Sequence, residues 1–361
     1  MKEDLPHEIR QNSVRKIIES NHLEGILFTS LENIRYLCGF TGSDGALILT
    51  QKEAFFLTDS RYWTQADEEV KGCRIVHYKK KIDDIVSLIL EVGVGKIGFE
   101  SPSLPFSFYR SFREKLGKEV ELHPLEEEIN DLRAIKDVQE LALIRNSIDL
   151  SSKAFLYAAE ILKVGIRERE AAFEMEFFMK KNGAEALGFD IIIASGKRSA
   201  LPHGKASDKQ IEKGDFILID FGSGFRGYHS DQTRTVVCGK PSSEQEKVYQ
   251  VVKEAHDKAI EKVRPGIPIG EVDAAARDHI RSAGYGEYFG HGTGHGIGLA
   301  VHENPTVNSG NKDLVREGMV FTIEPGIYIP DRGGVRIEDM VLVTSRGAEV
   351  LTYLPRDLRV I

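Results

Sequence analysis

The sequence of 361 residues is poor in several features that mark simple functional classes. It contains only three cysteines, Cys38, Cys73 and Cys238, and no two of them have the spacing of a zinc-binding or redox pair. This scarcity excludes a disulfide framework and a cysteine-based zinc site, and it is typical of a reducing cytoplasm. No apolar run approaches the roughly 18 residues of a membrane-spanning helix, so we expect none.

Positive charge is also in deficit. The formal net charge of −8 argues against nucleic acid or an anionic membrane surface as a partner. The opening residues, MKEDLPHEIRQ, lack the apolar stretch of a secretory signal, and we expect a cytoplasmic protein. Hydrophobic residues make up 41% of the chain, which is enough for sizeable cores, and the length favours two domains.

Two parts of the chain differ in their hydrophobic pattern. In the first part, short apolar strands such as GILFTS and GALILT alternate with helical periods such as IDDIVSLILEV, which is typical of a small α/β domain. The second part begins with a predicted helix over 136–163 and continues with apolar strands, further helices and a glycine-rich β region. The predicted domains are therefore 1–130 and 131–361, and the predicted fold class is α/β (α+β).

Four acids lie inside apolar strand segments of the second part. Asp220 lies in FILIDFG and Asp231 in SDQTRTVV, and the glycine-containing turn between them predicts a β-ribbon whose carboxylates converge. Glu324 and Glu338 lie in FTIEPGIY and VRIEDMVL. Asp220 alone would be explained by backbone donors, but neighbouring carboxylates repel, and one keeps its proton unless a cation lies between them. Because charges in apolar strands are rarely left without a partner, the set predicts a metal site.

The segment GHGTGHGIG places His291 and His295 four residues apart, the spacing of a zinc-binding pair on a helix. Its alternate glycines disfavour a helix, so we expect an extended or looped segment. At ~3.3 Å per residue the two histidines would lie roughly 13 Å apart, and only one could bind a given ion. The spacing does not decide which. Two divalent cations would neutralise four acids, and oxygen-rich ligands favour Mn²⁺ or Co²⁺ over a structural Zn²⁺.

These residues together resemble a known set. The order Asp220, Asp231, histidine, Glu324 and Glu338 resembles the metal-binding set of the methionine aminopeptidase, prolidase and aminopeptidase P superfamily, whose catalytic domain has the pita-bread fold. LPHG at 201–204 and VHENP at 301–305 are similar to the substrate-binding histidine motifs of its proline-specific branch. YLCGFTGSDGALIL and TDSRYWTQA resemble the creatinase-like N-terminal domain of aminopeptidase P and prolidase, so the resemblance covers nearly the whole chain.

The resemblance implies a role for each of these side chains. The metal ligands would be Asp220, Asp231, His295, Glu324 and Glu338, holding two divalent ions, with Mn²⁺ expected and Co²⁺ or Zn²⁺ as alternatives. Glu324 would also act as general base, His302 would lie near the developing oxyanion, and His203 and His291 would contact substrate. Arg336 would anchor either neighbouring carboxylates or the substrate carboxylate, and a structural pair with Glu338 or Asp339 is the alternative.

The implied activity is metal-dependent cleavage of the Xaa-Pro bond in short peptides with proline in the second position. The YLCGFTGSDG stretch resembles aminopeptidase P more than prolidase, so we expect an Xaa-Pro aminopeptidase, with an Xaa-Pro dipeptidase as the alternative. A non-catalytic peptide-binding protein or a metal-free creatinase-like hydrolase is disfavoured because all five ligands are present. A homodimer is also implied, in which the GFTGSDG loop at 39–45 reaches across to the substrate pocket.

Overall fold

The computed structural model describes residues 6–361 of the chain. The chain divides into two compact units, Met1–Leu132 and Arg133–Ile361, each with its own hydrophobic core. Among residues 6–361, no helix combines the length and the hydropathy needed to cross a membrane.

The first unit is built on one six-stranded mixed sheet. Its helices are α1 (Pro6–Ser20), α2 (Leu31–Cys38), α3 (Trp63–Glu69), α4 (Lys81–Glu91), α5 (Phe106–Leu116) and α6 (Glu127–Asn130). Its strands are β1 (Gly25–Phe28), β2 (Ala46–Thr50), β3 (Ala54–Thr58), β4 (Arg74–His77), β5 (Lys96–Glu100) and β6 (Glu121–Leu125). The strand order is β4-β3-β2-β1-β5-β6, with β2 antiparallel to both of its neighbours and the other pairs parallel.

The predicted α/β pattern of this unit is confirmed, but the sequence analysis missed α2, β4 and β6. Strands β4 and β6 lie at the two edges of the sheet and are largely exposed or half-buried, so they lack the apolar pattern that marks β1 to β3. Helix α2 is only eight residues long, and Ser30 caps it by accepting a hydrogen bond from the backbone N–H of Asn33.

The glycine-rich loop 39–45 of the first unit is held by Asp44. Its carboxylate accepts hydrogen bonds from the Lys81 ammonium at 2.5 Å, the Tyr78 hydroxyl at 2.8 Å and the Arg61 guanidinium at 2.9 Å. Asp59 also accepts from the backbone N–H of Arg61 at 2.9 Å, which supports the turn that leads into α3. The loop is therefore fixed at its Asp44 end, and its exposed residues are Thr41 and Ser43.

The second unit contains four long helices and several small sheets. Its helices are α7 (Val138–Ile161), α8 (Glu168–Lys181), α9 (Ser243–Lys262) and α10 (Ile269–Ser282). Its first strands are β7 (Ala186–Leu187), β8 (Ile192–Ser195), β9 (Phe216–Phe221), β10 (Ser223–Phe225), β11 (Tyr228–His229), β12 (Gln232–Val237) and β13 (Gly294–Gly296). The remaining strands are β14 (Glu303–Val307), β15 (Val320–Ile323), β16 (Gly326–Ile329), β17 (Gly333–Arg336), β18 (Asp339–Thr344), β19 (Gly347–Val350) and β20 (Arg359–Val360).

Two main sheets of this unit each pack against a pair of helices. The sheet ordered β20-β12-β9-β8 shares a buried core with α7 and α8, and the sheet ordered β14-β13-β15-β18-β19 shares another with α9 and α10. A three-stranded sheet, β11-β10-β7, and the hairpin β16-β17 complete the unit. The long helix predicted over 136–163 is confirmed as α7, which begins with a capping box between Asp137 and Glu140.

Strand β9 shows how the alternation of the sequence places an acid. Ile217, Ile219 and Phe221 point into the core beneath α7 and α8, and Leu218 packs in a separate small cluster. Because successive strand residues face opposite sides, Asp220 shares the face of Leu218 and points away from the main core. The register pairs Asp220 with Thr233 on β12, which confirms the predicted β-ribbon.

A buried cluster of charges fixes the start of the second unit to β14. The Glu303 carboxylate lies 2.7 Å from the Lys136 ammonium and 2.9 Å from the Arg133 guanidinium. The Lys136 side chain is fully buried and that of Glu303 is 4% exposed. Burial opposes ionisation of Glu303, but the two cations lower its pKa below the usual value, so the acid is charged.

We expect Glu303→Gln to destabilise the second unit by about 3–5 kcal/mol, because it leaves the Lys136 ammonium buried beside a neutral partner. Urea unfolding followed by far-UV circular dichroism measures this loss. The matched control is Glu349→Gln, which breaks an exposed pair with Arg145 and should cost less than about 1 kcal/mol. Equal stabilities of the two variants would contradict this account of the buried cluster.

Candidate metal centre

One cleft in the second unit gathers every residue that the sequence analysis assigned to the site. Its volume is ≈ 390 Å³. The predicted ligands and substrate-binding residues that line it are Asp220, Asp231, His295, Glu324, Glu338, His203, His291, His302 and Arg336. The other lining residues are Phe189, Asp190, Ile192, Pro202, Lys205, Gly292 and Gly294.

Three acids of the cleft lie on neighbouring segments: strand β9, the residue before β12, and the β17–β18 connection. Asp220 is the fifth residue of β9, and Asp231 directly precedes β12, its antiparallel neighbour. The backbone N–H of Glu338 donates to the carbonyl of Thr233 at 3.1 Å, which holds the β17–β18 connection against β12. The Thr233 hydroxyl also donates to Glu338 Oε2 at 2.7 Å, so the side chain of this acid is oriented as well.

The segment around His295 is extended, as predicted from its glycines. Strand β13 lies between β14 and β15, and its glycines permit a very close approach of neighbouring backbone. A Cβ atom on Gly294 would lie 1.9 Å from the carbonyl oxygen of Thr322, and one on Gly296 would lie 2.1 Å from that of Asn304. No side chain fits at either position, so these two glycines are required for the strand to pack.

The two histidines of this segment have different surroundings. His295 Nε2 lies 3.4 Å from Glu324 Oε1 and 3.6 Å from Asp231 Oδ2, inside the group of acids. His291 Nε2 instead lies 2.9 Å from the hydroxyl of Tyr328, and its Nδ1 lies 2.7 Å from the carbonyl oxygen of Gly292. The geometry therefore separates the two histidines, which their spacing in the sequence does not.

The donor atoms of this cleft fit a divalent metal ion. Ligand atoms of Asp231, His295 and Glu338 all lie within 4.8 Å of one another. In the part of the chain that the structure describes, Asp220 Oδ1, Asp231 Oδ1 and Glu338 Oε1 are buried and have no hydrogen-bond partner. Buried carboxylate oxygens are costly without a donor or a cation, so three of them in one cleft indicate a cation-binding arrangement.

The protonation of the cleft also follows from burial and crowding. Burial raises the pKa of Asp231 well above its usual value, and the nearby charge of Glu338 raises it further. Burial and the charge of Glu324 do the same to the pKa of Glu338, and burial raises the pKa of Glu324 itself. Burial lowers the pKa of His295, which keeps its imidazole neutral and suited to coordination. Positive charge in the cleft would reverse the shifts of the acids.

Arg336 is a buried anchor for one of these acids. Its Nη2 donates to Asp220 Oδ2 at 2.5 Å, its Nη1 donates to the Tyr328 hydroxyl at 2.8 Å and to the Pro202 carbonyl at 3.1 Å, and its Nε donates to the Thr233 hydroxyl at 3.0 Å. Burial disfavours the charge of Arg336, but Tyr328 and Asp220 raise its pKa above the usual value. The sequence left more than one role open for Arg336, and in the structure it anchors a neighbouring carboxylate, that of Asp220.

The structural alternative for Arg336, a pair with Glu338 or Asp339, is not what the fold contains. Asp339 pairs with Arg234 at 2.6 Å, and the same guanidinium donates to the backbone carbonyl of Glu338 at 2.6 Å. This second arginine therefore supports the backbone of Glu338 from the side away from the cleft.

Two more predicted histidines lie at the wall and mouth of the cleft. The ring centroid of His302 lies 4.2 Å from that of His295, and burial together with this neighbour lowers the pKa of His302. His203 is exposed and lies in the segment that also brings Pro202 and Lys205 to the cleft. Tyr228, three residues before Asp231, donates its hydroxyl to Glu140 at 3.0 Å and is not among the residues that line the cleft.

The sequence did not point to Thr233 and Tyr328, which form hydrogen bonds with side chains that line the cleft. Thr233 contacts Glu338 and Arg336, and Tyr328 contacts His291 and Arg336. Thr233 had a usable signal, since it lies two residues after Asp231 and a strand brings such residues to one face. Tyr328 follows Glu324 by four residues in a segment that is not helical, and no periodicity pointed to its contacts with His291 and Arg336.

Known proteins are similar to this one over nearly the whole chain. Residues 142–345 match the sequence model of "Metallopeptidase family M24", and residues 10–135 match that of the "Creatinase/Prolidase N-terminal domain". An Xaa-Pro dipeptidase of Pyrococcus horikoshii is 42% identical over 354 residues, which are 97% of this chain and 99% of the relative.

Solved structures agree with the sequence comparison. The Xaa-Pro dipeptidase from Bacillus anthracis superposes with a TM-score of 0.95 at 41% identity, over 98% of this chain and 100% of that one. The X-Pro aminopeptidase from Thermotoga maritima superposes with a TM-score of 0.88 at 38% identity, over 97% of this chain and 100% of that one. These matches confirm the predicted fold class, a creatinase-like N-terminal domain followed by a pita-bread domain. The chain therefore belongs to metallopeptidase family M24, and it carries the creatinase/prolidase N-terminal domain.

Proposed function

We propose that this metallopeptidase is an Xaa-Pro dipeptidase, which hydrolyses the bond between a first residue and a C-terminal proline. The observation that carries the proposal is the likeness, over nearly the whole chain, to the two dipeptidases from Pyrococcus horikoshii and Bacillus anthracis. The aminopeptidase from Thermotoga maritima is less similar in both sequence and structure. The relatives thus favour the dipeptidase alternative over the aminopeptidase that the YLCGFTGSDG stretch led us to expect.

The residues that would hold two divalent ions in this proposal are Asp220, Asp231, His295, Glu324 and Glu338. The ions are expected to be Mn²⁺, with Co²⁺ or Zn²⁺ as alternatives, because the donor set is rich in oxygen. When bound, such ions supply a nucleophilic water near neutral pH and polarise the scissile carbonyl. The support from the cleft is its set of carboxylate oxygens that lack hydrogen-bond donors.

Side chains of the chain itself would move the protons and hold the substrate. Glu324 is the proposed general base, because its carboxylate lines the cleft and its Oε1 lies 3.4 Å from His295 Nε2, beside the other proposed ligands. His302 would donate a hydrogen bond to the developing oxyanion, and its neutral imidazole retains one N–H for this purpose. His203 and His291 would position the substrate, and Arg336 would keep Asp220 in place.

In the proposed domain division, residues 131–361 carry out catalysis and residues 1–130 form the creatinase-like N-terminal domain. Every residue assigned to the chemistry lies in the later segment. The N-terminal domain would then determine which substrate length is accepted and would take no part in bond cleavage.

The substrate class is tested directly by peptide length. We expect Ala-Pro to be hydrolysed with a kcat/KM at least tenfold above that of Ala-Pro-Ala, because a site built for dipeptides closes around the free proline carboxylate. Release of free alanine or proline, quantified by chromatography in the presence of Mn²⁺, gives both values. A preference for the tripeptide would return the assignment to an Xaa-Pro aminopeptidase.

Metal dependence is tested by pairing variants inside and outside the cleft. Asp231→Ala or Glu338→Ala should lose bound metal, measured by elemental analysis, together with activity, because both acids belong to the cluster whose ligand atoms lie within 4.8 Å of one another. Asp331→Ala, which removes an exposed acid that does not line the cleft, should keep both metal and activity. Full activity of Asp231→Ala after removal of metal would contradict the ligand assignment.

The role of His302 separates from that of the ligands in the same experiment. His302→Ala should keep its metal and lose mainly kcat, by on the order of 10²-fold, as expected when a donor to the transition state is removed. Loss of metal from this variant would show that His302 is a ligand and that the assigned roles need revision.

We also propose that the protein is a homodimer, with the loop 39–45 of one protomer reaching the substrate cleft of its partner. Closed C₂ dimers are the commonest oligomers of soluble proteins, and Asp44 fixes this exposed loop in a defined shape. Light scattering at the assay concentration should give twice the chain mass. A monomeric mass accompanied by full dipeptidase activity would contradict the dimer.

A further inference from the structure

An enzyme that prefers dipeptides needs a group that recognises the free carboxylate of the C-terminal proline. A longer peptide carries a neutral amide at that position, so a positively charged side chain distinguishes the two substrates most directly. This inference rests on the dipeptidase function proposed above and concerns which side chain supplies the charge.

The buried basic groups of the cleft are poorly suited to this role. Arg336 is 3% exposed, and its Nε, Nη1 and Nη2 all donate to protein oxygens. Both ring nitrogens of His291 already have partners, the Tyr328 hydroxyl at 2.9 Å and the Gly292 carbonyl at 2.7 Å, and the ring of His302 lies against that of His295, with ring centroids 4.2 Å apart. Among the residues that line the cleft, Arg336 and Lys205 are the arginine and lysine side chains that the structure describes.

Lys205 differs from Arg336 in exposure and in its partner. Its side chain is 81% exposed and lies 2.9 Å from Asp190, which also lines the cleft and is 79% exposed. An exposed pair of this kind contributes little free energy, so the ammonium can leave Asp190 for another carboxylate at low cost. The pair shows that the position of Lys205 suits a carboxylate partner.

The backbone beneath Lys205 is held firmly although its side chain is exposed. The Arg198 guanidinium donates to the carbonyl oxygen of Lys205 at 2.6 Å. Arg198 is itself paired at 3.1 Å with Glu168, whose side chain is fully buried. The preceding residue, Gly204, is buried and donates its N–H to the carbonyl of Leu201 at 3.0 Å. An exposed charged group on a fixed backbone can bind a ligand without disordering the loop.

We propose that Lys205 recognises the free proline carboxylate of the dipeptide and exchanges Asp190 for the substrate when it binds. The exchange replaces one ion pair by another and leaves the Asp190 carboxylate to solvent, which already reaches it because its side chain is 79% exposed. A peptide extended beyond proline, or a peptide amide, has no anion for Lys205 and binds without this contact.

The test compares Ala-Pro with Ala-Pro-NH₂, two substrates that differ only in the charge at the proline end. The ratio of their kcat/KM values should fall about tenfold in Lys205→Met, mainly through a higher KM for Ala-Pro, because a charge-assisted hydrogen bond is lost. Lys205→Arg should recover most of the ratio. Lys197→Met is the matched control, since it removes an exposed lysine of the same segment that does not line the cleft, and its ratio should equal that of the wild type.

Three outcomes would overturn the inference. If the wild type cleaves Ala-Pro and Lys205→Met keeps the wild-type ratio, Lys205 has no part in recognition while the dipeptidase function stands. If His203→Ala lowers the ratio and Lys205→Met does not, the histidine holds the carboxylate instead. If the wild type cleaves Ala-Pro-NH₂ as well as Ala-Pro, or only longer peptides, the inference and the proposed dipeptidase function fall together.

Discussion

Repulsion between buried carboxylates is the constraint on which the arrangement of the catalytic unit depends. Burial raises the pKa values of Asp231 and Glu338, the charge of Glu338 raises that of Asp231 further, and the charge of Glu324 raises that of Glu338 further. Without compensation, burial and repulsion favour the protonated forms of these acids. The two cations proposed above would remove the repulsion and supply partners to the oxygens that have no donors.

The surrounding fold orients the acids so that they converge in spite of this repulsion. Arg336 holds one oxygen of Asp220, and the Thr233 hydroxyl holds one oxygen of Glu338, while the other oxygen of each acid stays free of hydrogen bonds. Arg234 supports the same connection from behind through the backbone carbonyl of Glu338. Asp220 and Glu338 are thus each oriented by a hydrogen bond to one carboxylate oxygen, and the other oxygen is left to coordinate a metal ion. Preorganised metal sites use this arrangement.

Much of this site could be predicted from the sequence because its acids interrupt apolar strands. The alternation of FILIDFG places Asp220 opposite the core residues, and the structure has that orientation. Spacing alone could not separate His291 from His295, because the choice depends on contacts with Glu324 and Tyr328 that are distant along the chain. Glu303 and Lys205 left no periodic signal, because their roles depend on the partners Lys136 and Asp190, which are distant along the chain.

The central claim, that two divalent cations neutralise the buried acids, is tested most directly by titrating the metal-free protein with Mn²⁺ in a calorimeter and measuring its melting temperature before and after. The account predicts that two ions bind per chain and that the melting temperature rises, because ligands that bind only the folded state stabilise it. Binding of no ion, or saturation with an unchanged melting temperature, would contradict it.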